Sequence, residues 1–207
     1  MATSTNTARR GRRRGEAVSR EHVLDVEKRS FAERGYEKTT IRGVARDAGI
    51  DPSMVVYLFG SKDELFRQSI QLVIDPNELV LAIREGEGTV GQRFVNAYLS
   101  MWEQAGTVDT MLAILQSATT NDDAHRAFRD FMQNYVLAAI SEELGGGPEV
   151  RTRFALAATS MVGTALLRYA LKIDPLVALT REQMVAILAP TVDRYLTADA
   201  SELGLLS

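Results

Sequence analysis

The stretch TTIRGVARDAGIDPSMVVYLFGSK, residues 39–62, reads as two short helices meeting at a glycine. In the first, Ile41, Val44, Ala45 and Ala48 recur at i, i+3, i+4 and i+7, the spacing of one apolar helix face, with Thr39 or Thr40 ahead of them as cap. Gly49 ends it by supplying a residue that tolerates a positive φ. Asp51 then caps a second helix whose first position is Pro52, where a missing N–H costs nothing. Its inward set is Val55, Leu58 and Phe59, so Ser53, Met54, Val56 and Tyr57 point outward from a helix only two turns long. A short helix with a small, mixed outer face fits a major groove, and the N-terminal amides of both helices offer partial positive charge to phosphates. Geometry alone equally allows an inert corner, since any three-helix unit contains one.

Upstream, the pattern predicts a helix from about Glu21 to Arg34, capped by Ser19 and stopped by Gly35, with Val23, Val26 and Phe31 inward and Glu27 and Ser30 interrupting the stripe. Residues 1–18, MATSTNTARRGRRRGEAV, hold five arginines and no apolar period, and read as a disordered basic arm. Arg12 and Arg13 are its candidates for phosphate or minor-groove contact; the plainer reading is a solubilising tail. Downstream, Gly60 closes the second short helix, and Ser61 with Glu64 has the spacing of a capping box. Further helices are expected at about 76–84, 90–104, 110–118, 122–143, 148–172 and 181–197, the last behind a second box at Thr180 and Gln183. Gly86, Gly88, Gly106, Asn121, the run 145–147 and the Asp174–Pro175 pair fall between them. No period-2 alternation occurs. The fold class is therefore all-α: an N-terminal three-helix helix-turn-helix unit over 19–65 and a C-terminal helical bundle over 66–207.

The net charge of −3 conceals a division. Residues 1–62 carry 13 Lys and Arg against 8 Asp and Glu, whereas the remainder carries 11 against 19. The first third can approach a polyanion and the rest would repel one, as in a nucleic-acid reader joined to a part with other work. With no cysteine, disulfides and thiolate metal sites are excluded, and two histidines leave little material for imidazole ligation, so no metal and no cofactor are expected. No apolar run approaches the roughly 18 residues of a membrane span, and the N-terminal arginines are followed by no apolar stretch of a secretory signal, which leaves a cytoplasmic protein as the expectation. No carboxylate pair or Glu-x-x-His spacing suggests a bundle enzyme.

FAERGYEKTTIRGVARDAGI followed by DPSMVVYLFGSKDELF resembles the N-terminal signature of the TetR family of bacterial regulators. The resemblance covers roughly residues 19–70, with Phe31, Gly35, Tyr36, Thr39, Thr40, Ala45, Ala48, Gly49, Phe59, Ser61, Lys62 and Leu65 at the family spacing. It implies that Thr40, Arg42, Tyr57 and Lys62 contact phosphates of double-stranded operator DNA, and that Ser53 and Met54 meet base edges. One position departs from the pattern. Many members carry tyrosine where this chain has Val56, and the aromatic here comes one residue later, at Tyr57. Neighbouring helical residues point about 100° apart, so Tyr57 reaches a different place and Val56 is left to touch a thymine methyl. Neither Ser53 nor Met54 makes bidentate base contacts, which shifts specificity toward DNA shape.

The closing segment REQMVAILAPTVDRYLTAD is also similar to the family, in which the last two long helices form a four-helix homodimer interface. Phe154, Ala158, Met161 and Ala165 on one helix, with Met184, Leu188, Val192 and Tyr195 on the other, make apolar stripes suited to that interface or to intrachain core. A homodimer implies a palindromic operator, because two recognition helices about 34 Å apart read successive major grooves. Between reader and interface, Phe94, Tyr98, Trp102, Met111, Phe128, Phe131, Met132 and Tyr135 are core or the wall of a pocket for a small hydrophobic effector. The resemblance thus implies a repressor released by such a ligand; a regulator of the same fold without a ligand is the alternative.

Overall fold

The computed structural model describes residues 19–104, 106–199 and 201–205, and Arg12 and Arg13 lie outside them. Helix α1, Arg20–Lys38, begins where the Ser19 hydroxyl accepts the His22 N–H at 3.1 Å. Gly35 interrupts this helix instead of ending it: at φ 73° it takes a conformation that glycine alone adopts freely, and one more turn runs on to Lys38. Helices α2, Ile41–Asp47, and α3, Pro52–Phe59, are capped by Thr40 and Asp51 as their sequence demands, with Gly49 at φ 70° between them. In α4, Lys62–Val73, Ser61 accepts the Glu64 N–H, but the Glu64 carboxylate turns to Arg67 and Gln68, so the expected box closes on one side only.

The C-terminal part contains α5, Pro76–Arg84; α6, Val90–Glu103; and α7, Thr107–Thr120. Helix α7 starts earlier than its apolar pattern suggests, because Gly106, at a positive φ, serves as N-cap and its carbonyl accepts both the N–H and the hydroxyl of Thr110. Helix α8 spans 122–143 with a wider π turn, Met132–Val136, in its middle, and α9 spans 148–170 with a π turn, Leu166–Ala170, at its end. Pro175 sits in the first turn of a short α10, Asp174–Val177, where the sequence pointed only to a break. Helix α11, Arg181–Thr197, opens on the full capping box of Thr180 and Gln183. Among the described residues all regular structure is helical.

Two apolar clusters form. The smaller gathers Val23, Val26, Val44, Ala45, Val55, Phe59 and Leu65 from α1 to α4. The larger runs from Phe31, Tyr36, Phe66 and Ile70 through Phe94, Trp102 and Phe131 to Val192. Helices α1 and α4 therefore contribute to both, and each fully buried Val or Phe adds about 1.5–3 kcal/mol relative to exposure. Glu27 and Ser69 meet at the seam between the clusters, where the Ser69 hydroxyl donates to one Glu27 oxygen and the other oxygen has no partner. Burial drives this carboxyl well above its ordinary range, against the smaller lowering effect of the serine. The interruption of the α1 stripe at Glu27 and Ser30 is thus not solvent-facing: both side chains are buried.

Helices α6 and α11 cross closely at Gly91. A Cβ there would lie 2.6 Å from the Ala189 carbonyl oxygen, and the Gly91 N–H donates to Asp193 at 2.6 Å.

Candidate nucleic-acid interface and the cavity behind it

Helix α3 sorts its side chains as the spacing predicts. Val55 and Phe59 are buried, Leu58 is half-buried, and Met54, Val56 and Tyr57 are 46%, 49% and 83% exposed. Three large apolar or aromatic groups thus stand in water on a two-turn helix. Around them the caps decide which polar groups remain available. Thr40 accepts the Gly43 N–H at 3.0 Å through a lone pair, which leaves its own O–H proton to donate. Ser53 differs: its hydroxyl donates to Asp51 at 2.6 Å, so only its lone pairs are left, suited to a base donor. Those bonds from Ser53 hold the Asp51 carboxyl below its usual range. Arg42 is exposed on the outer side of α2, while Arg34 ties α1 to α2 through Asp47 at 3.0 Å and Arg46 pairs with the same carboxylate within α2 at 2.9 Å.

Lys62, at the start of α4, is half-buried with its ammonium 4.0 Å above the Tyr36 ring, and this burial lowers its pKa. Tyr36 in turn donates its hydroxyl to Asp63, and its backbone N–H to Ser117 of α7 at 3.1 Å. Helix α4 leaves this cluster and reaches the second part of the molecule at Ile74.

Ile74 lines a cavity of about 200 Å³ with almost wholly apolar walls. Six of the eight residues expected at a pocket line it: Phe94, Tyr98, Trp102, Met111, Phe128 and Met132. Two do not. Phe131 is fully buried beside it in core packing, and Tyr135, stacked on Phe131, faces outward beneath Arg67 of α4 at 4.7 Å. The π turn explains the split, because its extra residue rotates Tyr135 away while Met132 and Val136 keep to the cavity. His125 is exposed, its Nδ1 3.1 Å from the Ala118 carbonyl oxygen, away from the cavity.

The expected interface stripes need correction. Phe154, Met161, Ala165, Met184 and Val192 are buried within the single chain, and Phe154, Ala158 and Met161 line the cavity. Leu188 and Tyr195 are half-buried against the same core. The strongest apolar face of each helix turned to its own bundle, where α6 already covers α11. What α9 and α11 leave in solvent is a second, weaker face: Ala155, Thr159 and Val162 on one, Ile187, Pro190, Thr191 and Arg194 on the other. Sequence reasoning missed the wall residues Ile74, Leu79, Val136 and Val162; their apolar character marks them as inward, but nothing local distinguishes wall from solid core.

Among the described residues no helix is long and apolar enough to cross a membrane, and no cluster of three or more His, Asp or Glu side chains is placed to hold a metal ion.

Comparison with known proteins places these features. The family model described as bacterial regulatory proteins, tetR family, matches residues 23–68, and the model described as tetracyclin repressor-like, C-terminal domain, matches residues 88–196. An HTH-type transcriptional repressor of Mycobacterium tuberculosis is 28% identical over 114 residues, 55% of this chain and 58% of that protein. The HTH-type transcriptional regulator HbdR of Aromatoleum is 26% identical over 118 residues, 54% of this chain and 50% of that one. The chain thus matches between half and three fifths of the length of these curated relatives. A solved TetR-family regulator of Streptomyces coelicolor is similar over 90% of this chain and 99% of its own, at 28% identity and a TM-score of 0.63.

Proposed function

The chain belongs to the TetR family of bacterial regulators, DNA-binding transcription factors and not enzymes, and from that premise we propose that it is a repressor which binds a palindromic operator as a homodimer and leaves it when a small hydrophobic ligand enters the cavity. The reader is the unit of residues 19–65 and the sensor the bundle that follows. The observation that carries the reading is the outer face of α3, where Met54, Val56 and Tyr57 stand in water on a helix held rigidly from behind by Val55 and Phe59. Exposed apolar groups of that size on a groove-sized helix suit thymine methyls and sugar edges. Thr40, Arg42, Tyr57 and Lys62 supply phosphate contacts around them, and Arg12 and Arg13, outside the described residues, supply further positive charge to the duplex.

Dimerisation uses the faces of α9 and α11 that the chain leaves open, centred on Val162 and Ile187, the latter 59% exposed. Their small neighbours Ala155, Thr159, Pro190 and Thr191 let a partner helix approach closely.

Helix α4 connects sensor to reader. It begins with Lys62 just beyond α3, carries Arg67 against Tyr135 of the α8 π turn, and ends at Ile74 in the cavity wall. A ligand that displaces Met132 or Ile74 acts on both contacts and changes the tilt of α4, and with it the spacing of two recognition helices. The ligand works only through its different affinity for the two arrangements.

Footprinting on the DNA flanking the gene tests the reading: an inverted repeat is protected, its half-sites one helical turn apart, with binding that weakens steeply as salt rises. A protein that stays monomeric and shows no salt-sensitive preference for any duplex overturns it.

A further inference from the structure

Resting on the ligand-sensing reading above, we infer that the effector is a neutral hydrocarbon, one ring with a short alkyl substituent, and that any hydrogen-bonding or charged group carried on it counts against binding. Size sets the first limit. An apolar cavity of about 150 Å³ accommodates benzene. The roughly 200 Å³ here holds, in proportion, about eight non-hydrogen atoms, a ring and two more. Met111, Met132 and Met161 adapt to the outline of the ring, so the cavity reads polarity more sharply than shape.

Polarity sets the second limit. Almost no polar atom, of side chain or backbone, reaches the cavity surface. Apart from Tyr98 and Trp102 the wall side chains are aliphatic, phenyl or thioether. These two stand one turn apart on α6, ring edge to ring face with centroids 6.3 Å apart, and turn their polar ends away from the cavity. The Trp102 Nε1 is buried out of reach beside the Tyr98 hydroxyl and offers a guest nothing. Even where the π turn Met132–Val136 borders the cavity, no backbone N–H or carbonyl opens onto it. A guest hydroxyl, carbonyl or amide gives up its water here and finds no partner, which weakens binding about ten- to hundredfold against a methyl group of the same size. Charge is excluded more strongly, because an ion would leave water without meeting a counter-charge. No acid or base lines the wall, and Glu103, the residue after Trp102, is engaged by the Tyr169 hydroxyl at 2.8 Å and by Arg181 at 3.4 Å. The wall is no aromatic cage for an ammonium either. Phe94 pairs edge-on with Phe154 at 5.7 Å, Tyr98 pairs with Trp102, and Trp102 is stacked besides on Tyr169 at 5.8 Å, so fewer ring faces are left to surround a cation.

The test uses ethylbenzene, benzyl alcohol and benzylammonium, which have the same number of non-hydrogen atoms and differ only in the last one: methyl, hydroxyl or ammonium. Binding to the full chain is measured calorimetrically for the parent and for Ala158→Leu, whose larger side chain fills part of the cavity and whose fold is checked by its helical circular dichroism. Ethylbenzene is expected to bind the parent, benzyl alcohol to bind about ten- to hundredfold more weakly, and benzylammonium not to bind over the same concentrations. Ala158→Leu should abolish ethylbenzene binding. If benzyl alcohol or benzylammonium binds as tightly as ethylbenzene and Ala158→Leu weakens them together, the inference falls while the pocket stands. If none of the three binds the parent, or if a folded Ala158→Leu binds them as the parent does, the pocket reading falls and takes the inference with it.

Discussion

Tyr57 and Phe94 are both large aromatic side chains on short-range amphipathic helices, and the two halves of the molecule treat them oppositely. Tyr57 is 83% exposed, on a helix whose other side is fixed by a small private core; Phe94 is 1% exposed, in the wall of a cavity, edge-on to Phe154 at 5.7 Å. One half displays its apolar chemistry and the other encloses it. The same kind of substitution should therefore read out in different quantities. Phe94→Ala removes a ring from the large core and should cost about 3–5 kcal/mol of stability, a large fraction of what a domain has. Tyr57→Ala should stay within about 0.5 kcal/mol of the parent while lowering operator affinity. Urea unfolding of the two variants side by side checks the contrast, and equal losses would dissolve it.

A smaller but still large effect is expected at Gly91. Alanine there meets the Ala189 carbonyl oxygen, which belongs to a helix backbone and yields little. The crossing of α6 and α11 must open, at about 1–3 kcal/mol, or a melting temperature lower by roughly 2–12 °C. Because α11 also offers the open face proposed for dimerisation, Gly91→Ala should weaken association as well. Sedimentation of the variant against the parent measures this, and an unchanged melting temperature would show that the crossing is looser than the geometry requires.

Glu27 lies between the two halves and sharpens the comparison through pH. Its carboxyl is raised by burial, so the folded state holds a proton that the unfolded chain gives up near pH 4.5. Stability contributed by this group is therefore lost as pH climbs above that value, until the folded carboxyl also ionises. Glu27→Gln removes the loss. The variant should be more stable than the parent at pH 7–8, and the advantage should shrink on approaching pH 4.5. Parallel pH profiles for the two proteins would mean that Glu27 is not under strain at the seam.

How much of this was legible in the residues differs between the halves for a physical reason. Caps, the Gly49 turn and the i, i+3, i+4 sets of α2 and α3 are local, so Ser53, Met54, Val56 and Tyr57 were placed outward correctly before any tertiary contact was known. The C-terminal bundle is not local in this sense. Phe154, Met161 and Val192 announce that they are inward, but their own bundle and a partner offer the same apolar surroundings, and only packing decided for the bundle. The π turn at Met132–Val136 has no signature in the sequence, and it is what sends Tyr135 to Arg67 while keeping Met132 at the cavity. Glu27 carries an ambiguous signal: a lone acid in an apolar stripe marks either a break in the buried face or a buried group, spacing does not choose between them, and packing buries it.

The smallest effect on folding and the sharpest on function is expected at the reader's rim, where two neighbours should fail differently. Arg42 is exposed and free of ion pairs among the described residues, and Met54 is half-exposed with no charge to give. If Arg42 neutralises a phosphate, Arg42→Ala lowers operator affinity and also reduces the slope of log K against log salt by about 0.9 for each copy bound. Met54→Ala loses an apolar base contact, so affinity for the operator falls while the salt slope and the binding to unrelated duplex stay as they were. Neither change should alter stability by more than about 0.5 kcal/mol. Fluorescence anisotropy over a series of salt concentrations separates the two. A slope unmoved by Arg42→Ala would remove α2 from the phosphate contacts and leave α3 and Lys62 to hold the duplex, whereas a slope lowered by Met54→Ala would mean that α3 is turned differently in the groove.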